Sequence, residues 1–184
     1  MARVFIAIKI PEEISEKINQ FAKQNFSKIP GIKLVEKENL HITMKFLGEI
    51  NDEMVPRVSE KIEKSSQLVE PFEISVEEIG VFPSFNTPRV IWIGALSQKI
   101  YDVKKAVDET LSELGFEKEN KFVSHITIGR VKSGNPSEKI NRLAKTKTEF
   151  GKFIANSITI FESTLTPQGP IYKVIKDIKF GKHK

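Results

Sequence analysis

Two segments of the chain share one alternating pattern, and this doubling constrains the fold more than any other feature of the sequence. They are LHITMKFLG at residues 40–48 and SHITIGRV at residues 124–131. In both, apolar residues alternate with less apolar ones, as in a β-strand that has one buried face. In each, the histidine and the threonine two positions later fall on the same face. The sequence therefore predicts two similar strands that each present an imidazole beside a hydroxyl.

The histidines of this pattern, His41 and His125, are two of only three in the chain. A histidine on a strand is usually a hydrogen-bonding partner of a neighbour, and a single His-x-Thr sequence is weak evidence of function. The repetition changes this, because both histidines have a threonine two residues later, Thr43 and Thr127. We therefore interpret the four side chains as one functional constellation. The third histidine, His183, lies in a basic C-terminal tail, and we expect it to have no catalytic role.

A similar order of predicted elements precedes each motif. The interval from Phe5 to His41 nearly equals that from Ile91 to His125, and each contains a strand, an amphipathic helix and a turn. Such spacing is common in chains that mix strands and helices, so it supports the doubling without establishing it. Strands joined by hairpins and by longer helical excursions predict an α+β fold with mostly antiparallel sheets. We expect two structurally similar halves that face each other and deliver one His-x-Thr motif each to a shared cleft.

Composition excludes several classes of protein. The chain has no cysteine, which rules out disulfides and thiolate metal sites. Its apolar start at residues 1–8 is too short for a signal peptide and no stretch approaches a membrane span, so we expect a cytoplasmic protein. The formal net charge of +5 permits a polyanionic partner such as RNA, although an ordinary lysine-rich surface gives the same charge. Abundant lysine and glutamate without cysteine is also compatible with a heat-adapted source.

Two histidines on facing strands suit general acid–base catalysis near neutral pH, where imidazole titrates. One must be neutral to accept a proton, and the other must be protonated to donate one. Threonine hydroxyls and a guanidinium can hold an anion that gains charge as it reacts. Arg130 lies on the opposite parity to His125, so it joins the site only if Gly129 bulges the strand and is otherwise a surface residue. The anion that fits is a phosphate attacked in line, with one histidine serving each side.

A zinc site is the alternative for the same histidines. Zinc normally needs a third protein ligand, and no Asp or Glu lies beside either motif on the parity of its histidine. Asp177 and Glu162 are too distant in sequence to assign to such a site without a structure. The sequence also lacks a glycine-rich phosphate loop and a serine nucleophile elbow. We therefore expect no metal and no cofactor.

The doubled motif resembles that of the two-histidine (2H) phosphoesterase superfamily, in the stretches HITMKFLG from His41 and HITIGR from His125. Within it, the sequence is most similar to the RNA 2′,3′-cyclic phosphodiesterase family, also called 2′-5′ RNA ligases. The opening RVFIAI from Arg3 and the late GPIY from Gly169 resemble this family too, so the likeness covers nearly the whole chain. The resemblance implies one bilobal α+β domain over residues 1–184, with pseudo-twofold duplicated lobes of mostly antiparallel sheet, outer helices and a central basic cleft.

The resemblance also implies a reaction, the metal-independent opening of a 2′,3′-cyclic phosphate at an RNA end to give a 2′-phosphate. By analogy with the family, His41 is the general acid that protonates the leaving 3′ oxygen, and His125 is the base that activates water. Thr43 and Thr127 are the residues that bind the phosphoryl oxygens. Arg130 matches a basic residue that contacts the substrate.

Phe46 has two interpretations. It matches an aromatic residue that touches a base in the family, whereas its parity on the strand predicts packing in the core. For the main interpretation we expect a monomer that acts on an RNA or nucleotide with a 2′,3′-cyclic phosphate end and that binds no membrane.

Two other functions are compatible with the sequence. One is a 2′-5′ RNA ligase that joins tRNA half-molecules, since one site must catalyse both directions of a reaction. The other is a non-enzymatic RNA-binding module that keeps the histidines as vestigial contacts, which the lysine-rich composition favours.

Overall fold

The computed structural model describes residues 1–182, and the expectation for His183 lies outside them. The described residues form nine β-strands, four α-helices and one 3₁₀ turn. In chain order these are β1 (Ala2–Lys9), α1 (Glu12–Phe26), β2 (Ile32–Leu34), the 3₁₀ turn (Lys37–Asn39), β3 (His41–Ile50), α2 (Met54–Ser66), β4 (Phe72–Phe82), β5 (Val90–Leu96), α3 (Gln98–Ser112), β6 (His125–Val131), α4 (Ser137–Ala144), β7 (Glu149–Ala155), β8 (Ser157–Thr166) and β9 (Gly169–Lys179). None of these helices is both long enough and apolar enough to cross a membrane.

All nine strands of the described residues belong to one sheet, and every pairing in it is antiparallel. The order across the sheet is β7-β4-β5-β6-β3-β1-β8-β9, with β2 beside β6. The motif strands β3 and β6 meet at the centre, where Ile42 pairs with Ile126. β1 and β5 occupy equivalent places next to them, which gives the sheet an approximate twofold arrangement. The α+β fold of mostly antiparallel strands that the sequence predicts is confirmed.

The two sides of the sheet do not coincide with the two halves of the sequence. On the side of the second motif, β4, β5, β6 and β7 come from the continuous stretch 72–155. On the side of the first motif, β1 and β3 come from the start of the chain, whereas β8 and β9 follow β7 and return to pair beside β1. Most of the second side is therefore an insertion between strands of the first, and β2, which lies between β1 and β3 in the chain, also crosses over to pair with β6.

The helices cover one face of the sheet with apolar side chains. They bury residues at helical spacing, which the sequence pattern predicts for α1 and α3. These residues are Ile14, Ile18, Ala22 and Phe26 of α1, and Ile100, Val103, Val107 and Leu111 of α3. Each large side chain removed from water in this way contributes roughly 1.5–3 kcal/mol. The opposite face of the sheet is left free for the two His-x-Thr motifs.

A bulge interrupts β3 three residues after His41. The register of β3 with β1 shifts between Ile6 and Ala7, which leaves Met44 without a cross-strand partner. An extra residue of this kind reverses the alternation of the side chains beyond it. Phe46 consequently lies on the face of His41 and is 65% exposed. The core packing that strict parity predicts for Phe46 is wrong.

β6 carries the same irregularity at the equivalent position. Its register with β5 shifts between Ile91 and Trp92, and Ile128 is left without a cross-strand partner. Arg130 therefore falls on the same face of the sheet as His125 and is exposed there. Of the two alternatives that the sequence leaves for Arg130, the structure shows the bulged strand.

Candidate active site

The first imidazole is held at both ring nitrogens. Nδ1 of His41 lies 2.6 Å from the backbone oxygen of Asn39, and Nε2 lies 2.8 Å from Oγ1 of Thr43. Because a carbonyl oxygen only accepts hydrogen bonds, Nδ1 carries a proton and donates it. In the neutral ring Nε2 then accepts from the Thr43 hydroxyl, and in the imidazolium it donates. The ring can therefore gain and lose a proton at Nε2 without changing its orientation.

The second imidazole is held by the same backbone contact. Nδ1 of His125 donates to the backbone oxygen of Val123, 2.6 Å away and again two residues earlier in the chain. Its Nε2 is the nitrogen that changes protonation state, as in the first motif. Thr127 borders the same cleft, although within residues 1–182 no hydrogen bond joins its hydroxyl to the ring. In each motif, the backbone carbonyl two residues before the histidine thus fixes the tautomer of the ring.

The two motifs line one cleft of about 740 Å³. The pairing of Ile42 with Ile126 brings them together, and the antiparallel direction directs each histidine towards the threonine of the other motif. All six residues that the sequence assigns to the site border this cleft, namely His41, Thr43, Phe46, His125, Thr127 and Arg130. Their catalytic and binding roles stay predictions.

Aromatic rings pack against each imidazole, and none of them is predicted from the sequence as part of the site. Against His41, the ring of Phe5 lies 5.0 Å away and that of Tyr172 lies edge-on at 5.5 Å. Against the second imidazole, Phe82 lies edge-on at 5.0 Å and Trp92 lies at 5.8 Å. The stretches RVFIAI and GPIY, which resemble the family, contain two of these rings. That resemblance is the signal from which both could have been assigned.

Burial lowers the pKa of both histidines from the usual 6.5. For His41, loss of solvent is the largest cause, and proximity to His125 lowers the pKa further. For His125, burial is again the largest cause, and the positive charge of Arg130 adds to it. The hydrogen bonds to the backbone carbonyls oppose both shifts. At neutral pH both rings of the free protein are therefore mainly uncharged, with Nε2 able to accept a proton.

The two walls of the cleft differ in chemistry. Phe46 and Tyr172 contribute aromatic surface on the side of the first motif. Arg130, Lys33 and Lys132 contribute positive charge where β2 pairs with β6. Neither lysine is predicted from the sequence, because the place of both in the cleft depends on a strand pairing that no local pattern marks. We call these three cationic residues the basic wall.

A buried ion cluster holds the segment that leads into the second motif. Nζ of Lys45, on β3, lies 2.7 Å from Oδ1 of Asp108 and 2.6 Å from the backbone oxygen of Glu117. Lys104 lies 3.1 Å from the same Oδ1 and also pairs with Glu119. Burial raises the pKa of Asp108, but hydrogen bonds from the two lysines hold it below its usual value. The cluster therefore links the strand of the first histidine, through α3, to the chain just before β6.

The part of the chain that the structure describes offers the histidines no third ligand. Within residues 1–182 no three His, Asp or Glu side chains lie close enough together to hold a metal ion. Asp177 instead accepts a hydrogen bond from Thr159 at 2.6 Å and pairs with Lys9 at 3.4 Å. The zinc alternative therefore lacks the ligand set that it requires.

A duplicated antiparallel sheet that brings two His-x-Thr motifs to one cleft defines the class of two-histidine phosphoesterases. The model of the family described as LigT like Phosphoesterase matches residues 8–92 and 94–172 of this chain. Each matched range contains one of the two motifs. The chain belongs to this family, and the resemblance that the motifs indicate is confirmed.

Individual relatives are similar over almost their whole length. The chain is 49% identical to the RNA 2′,3′-cyclic phosphodiesterase of Methanocaldococcus jannaschii, over 95% of this chain and 99% of that protein. It is 39% identical to the protein of the same name from Archaeoglobus fulgidus, over 95% of this chain and 98% of that one. Among solved structures, the protein TT0787 of Thermus thermophilus superposes with a TM-score of 0.86 at 27% identity, covering 98% of this chain and 100% of the other. The likeness therefore extends over the whole fold as well as the motifs.

Proposed function

We propose that this protein hydrolyses the 2′,3′-cyclic phosphate at an RNA end to a 2′-phosphate, by metal-independent general acid–base catalysis. The observation that carries the proposal is the pair of imidazoles, His41 and His125, each oriented by a backbone carbonyl and bordering one cleft. A phosphodiester bound between them has a proton acceptor on one side and a proton donor on the other. The two relatives described above bear the name of this activity.

The proposed step exchanges one P–O bond for another. Nε2 of His125 accepts a proton from water as the water oxygen bonds to phosphorus, and His41 donates its Nε2 proton to the 3′ oxygen as that oxygen leaves. The product is a 2′-phosphomonoester beside a free 3′ hydroxyl. The assignment of His125 as the base is supported by Arg130, whose positive charge lowers the pKa of that ring and keeps it neutral.

His41 must carry a proton at Nε2 to act as the acid, although burial lowers its pKa. A bound phosphate supplies the opposite charge that raises a histidine pKa. In this proposal the substrate therefore brings the acid into its active state. The hydroxyls of Thr43 and Thr127 donate to the phosphoryl oxygens, and Arg130 balances the charge that these oxygens gain.

The two walls of the cleft divide the rest of the substrate between them. Phe46 is exposed to the cleft, and we assign it to stacking on the terminal base.

We further propose that the protein acts as a monomer in the cytoplasm. All residues given a role come from one chain and border one cleft, so the reaction requires no second copy.

The test is hydrolysis of uridine 2′,3′-cyclic phosphate in the presence of EDTA. We expect His41→Ala and His125→Ala to lose about 10²- to 10⁴-fold in kcat/KM, the usual contribution of a general acid or base. The variant His183→Ala is the histidine control and should keep wild-type activity. Full activity in either motif variant, or complete loss of wild-type activity in EDTA, would contradict the proposal.

The same preparations separate the two other functions. Product analysis with tRNA half-molecules shows whether the site also joins ends in a 2′-5′ linkage. A non-enzymatic RNA-binding module would bind RNA in a salt-dependent way without turning over any cyclic phosphate.

A further inference from the structure

The cleft carries more positive charge than a cyclic phosphate alone requires. Its lining contains three cations, Lys33, Arg130 and Lys132, and one carboxylate, Glu36. With neutral histidines this is a formal excess of two positive charges. A 2′,3′-cyclic phosphate is a diester with a single negative charge. One positive charge of the basic wall is therefore left over when only the reacting group is bound.

The cations of the basic wall form no salt bridge within residues 1–182, and the one carboxylate among the residues that border their cleft is Glu36. Lys33 and Arg130 are direct cross-strand neighbours, and like charges in that position destabilise a sheet. Among the other lysines of the described chain, eleven form salt bridges and ten do not. Lys33 donates only to the backbone oxygen of Gln168, at 3.3 Å. What distinguishes the basic wall is that its three cations border one cleft, where a bound ligand can supply their counter-charge.

The geometry of β6 separates the two lysines from the reacting group. Arg130 lies close enough to His125 to lower the pKa of that ring, and Lys33 lies opposite Arg130 on the neighbouring strand β2. Lys132 follows Arg130 by two residues, and its backbone N–H still pairs with the oxygen of Gly31. Alternate residues of a strand point to the same side, about 6.6 Å apart. Successive phosphorus atoms of an extended nucleic acid strand have a similar separation.

We propose that Lys33 and Lys132 form a second phosphate subsite, which binds the phosphodiester linking the reacting nucleotide to the preceding one. This inference rests on the proposed function and specifies its substrate class. That class is an RNA strand of at least two nucleotides, in preference to a free nucleoside 2′,3′-cyclic phosphate. Arg130 contacts the reacting phosphate, and the two lysines contact the next phosphate along the strand.

The test compares uridine 2′,3′-cyclic phosphate with the dinucleotide UpU that ends in the same cyclic phosphate. We expect the wild-type protein to prefer the dinucleotide in kcat/KM. In Lys33→Gln/Lys132→Gln, the ratio of the two kcat/KM values should fall about tenfold, because two charge-assisted contacts are lost. The control Lys99→Gln/Lys105→Gln removes two charges from exposed positions on α3 and should leave the ratio unchanged.

Salt dependence gives a second readout of the same subsite. A single-stranded nucleic acid contact contributes about 0.7 to the slope of log K against log salt for each phosphate bound. The wild-type slope of kcat/KM should therefore be steeper for the dinucleotide than for the mononucleotide. In the double lysine variant the two slopes should agree.

Equal efficiencies and equal slopes for the two substrates in the wild-type protein would overturn the subsite. A dinucleotide preference that the double lysine variant retains would overturn it as well. If neither substrate is hydrolysed, the proposed function fails, and the subsite is then tested by calorimetric binding of UpU 3′-phosphate. Binding that is about tenfold weaker in the lysine variant supports the subsite, and unchanged binding refutes it.

Discussion

The two motifs share their first three residues and a bulge at the next residue, and they differ in sequence from that bulge residue onward. The fourth residue after the histidine is Lys45 in the first motif and Gly129 in the second, and the fifth is Phe46 or Arg130. In both strands the bulge sends the fifth residue to the cleft. The shared part positions the two imidazoles, and the divergent part gives them different surroundings.

The difference at the fifth position shows how two equivalent histidines can acquire different roles. Arg130 places a positive charge near His125 and lowers its pKa, which favours a neutral ring. Phe46 brings no charge to the first motif, so the protonation of His41 is free to respond to a bound phosphate. In the proposed mechanism the first arrangement suits a base and the second suits an acid.

The largest difference between the two histidine variants should appear with a substrate whose leaving group needs no proton. In a 3′-deoxynucleoside 2′-(4-nitrophenyl phosphate), nitrophenolate takes the place of the leaving 3′ oxygen and departs unassisted, so an acid is dispensable while a base is still required. We expect His41→Ala to hydrolyse this ester at close to the wild-type rate. His125→Ala should still lose about 10²- to 10⁴-fold. Release of nitrophenolate is followed by its absorbance.

The matching measurement uses the cyclic phosphate, on which both variants should be severely impaired. If His125→Ala is the variant that recovers on the nitrophenyl ester, the acid and base are assigned the wrong way round. Equal impairment of both variants on both substrates would show that the two imidazoles do not divide the proton transfers as proposed.

The next effect concerns the fourth position, where the first motif has a buried lysine. In Lys45→Met, Asp108 keeps Lys104 as a partner. The loss of stability should therefore lie at the lower end of the range for breaking a buried ion pair. We expect the free energy of unfolding to fall by about 3 kcal/mol. Urea denaturation followed by the fluorescence of the single tryptophan measures it.

The control for this change is Lys64→Met, which removes a lysine from an exposed pair with Glu60. Exposed pairs contribute at most about 1 kcal/mol, so this variant should unfold close to the wild-type urea concentration. Equal midpoints for the two variants would show that the buried cluster contributes no more than a surface pair.

The sequence predicts what depends on local alternation and misses what depends on distant pairing. The doubled strands and the sharing of faces by His41 and Thr43 follow from a period of two, and the structure shows both. The bulge at Met44 has no local marker, so Phe46 is predicted on the wrong face by parity. Gly129 does mark the second bulge as a possibility, which is why the position of Arg130 is left open until the register with β5 is known.

Other features are set by contacts between distant parts of the chain. Lys45 looks like an ordinary polar position of an alternating strand, and its partner Asp108 lies on a helix in the other half of the sequence. Lys33 reaches the cleft because β2 adds to the edge of β6. These are tertiary relations, and single-sequence patterns do not contain them.

The next effect is smaller and concerns the fifth position of each motif. Substitutions of Arg130 and of Phe46 should differ in how strongly the loss of kcat/KM depends on the base of the substrate. In the proposed mechanism Arg130→Gln removes a charge-assisted contact to phosphate, and it should lower kcat/KM about tenfold for every base. Phe46→Ala removes a stacking surface and should cost about fivefold, chiefly in KM, with a larger loss for adenosine than for uridine 2′,3′-cyclic phosphate. Phe46→Tyr keeps the ring and is the matched control. Base-dependent losses in Arg130→Gln, with base-independent losses in Phe46→Ala, would reverse the proposed division of the cleft.

The smallest effect is a change in pH dependence. Burial lowers both histidine pKa values from 6.5, so the bell-shaped profile of kcat/KM should be centred below pH 6.5. Activity rises as the base loses its proton and falls as the acid loses its own. Arg130→Gln removes the charge that lowers the pKa of His125, so that pKa should rise and the ascending limb should move to higher pH. His41 should respond less, because burial and proximity to His125 lower its pKa.

NMR titration of the imidazoles in wild type, Arg130→Gln and the exposed control Arg57→Gln measures both pKa values. A His125 pKa that is unchanged, or that falls, in Arg130→Gln would remove the electrostatic difference on which the separate roles of the two motifs depend.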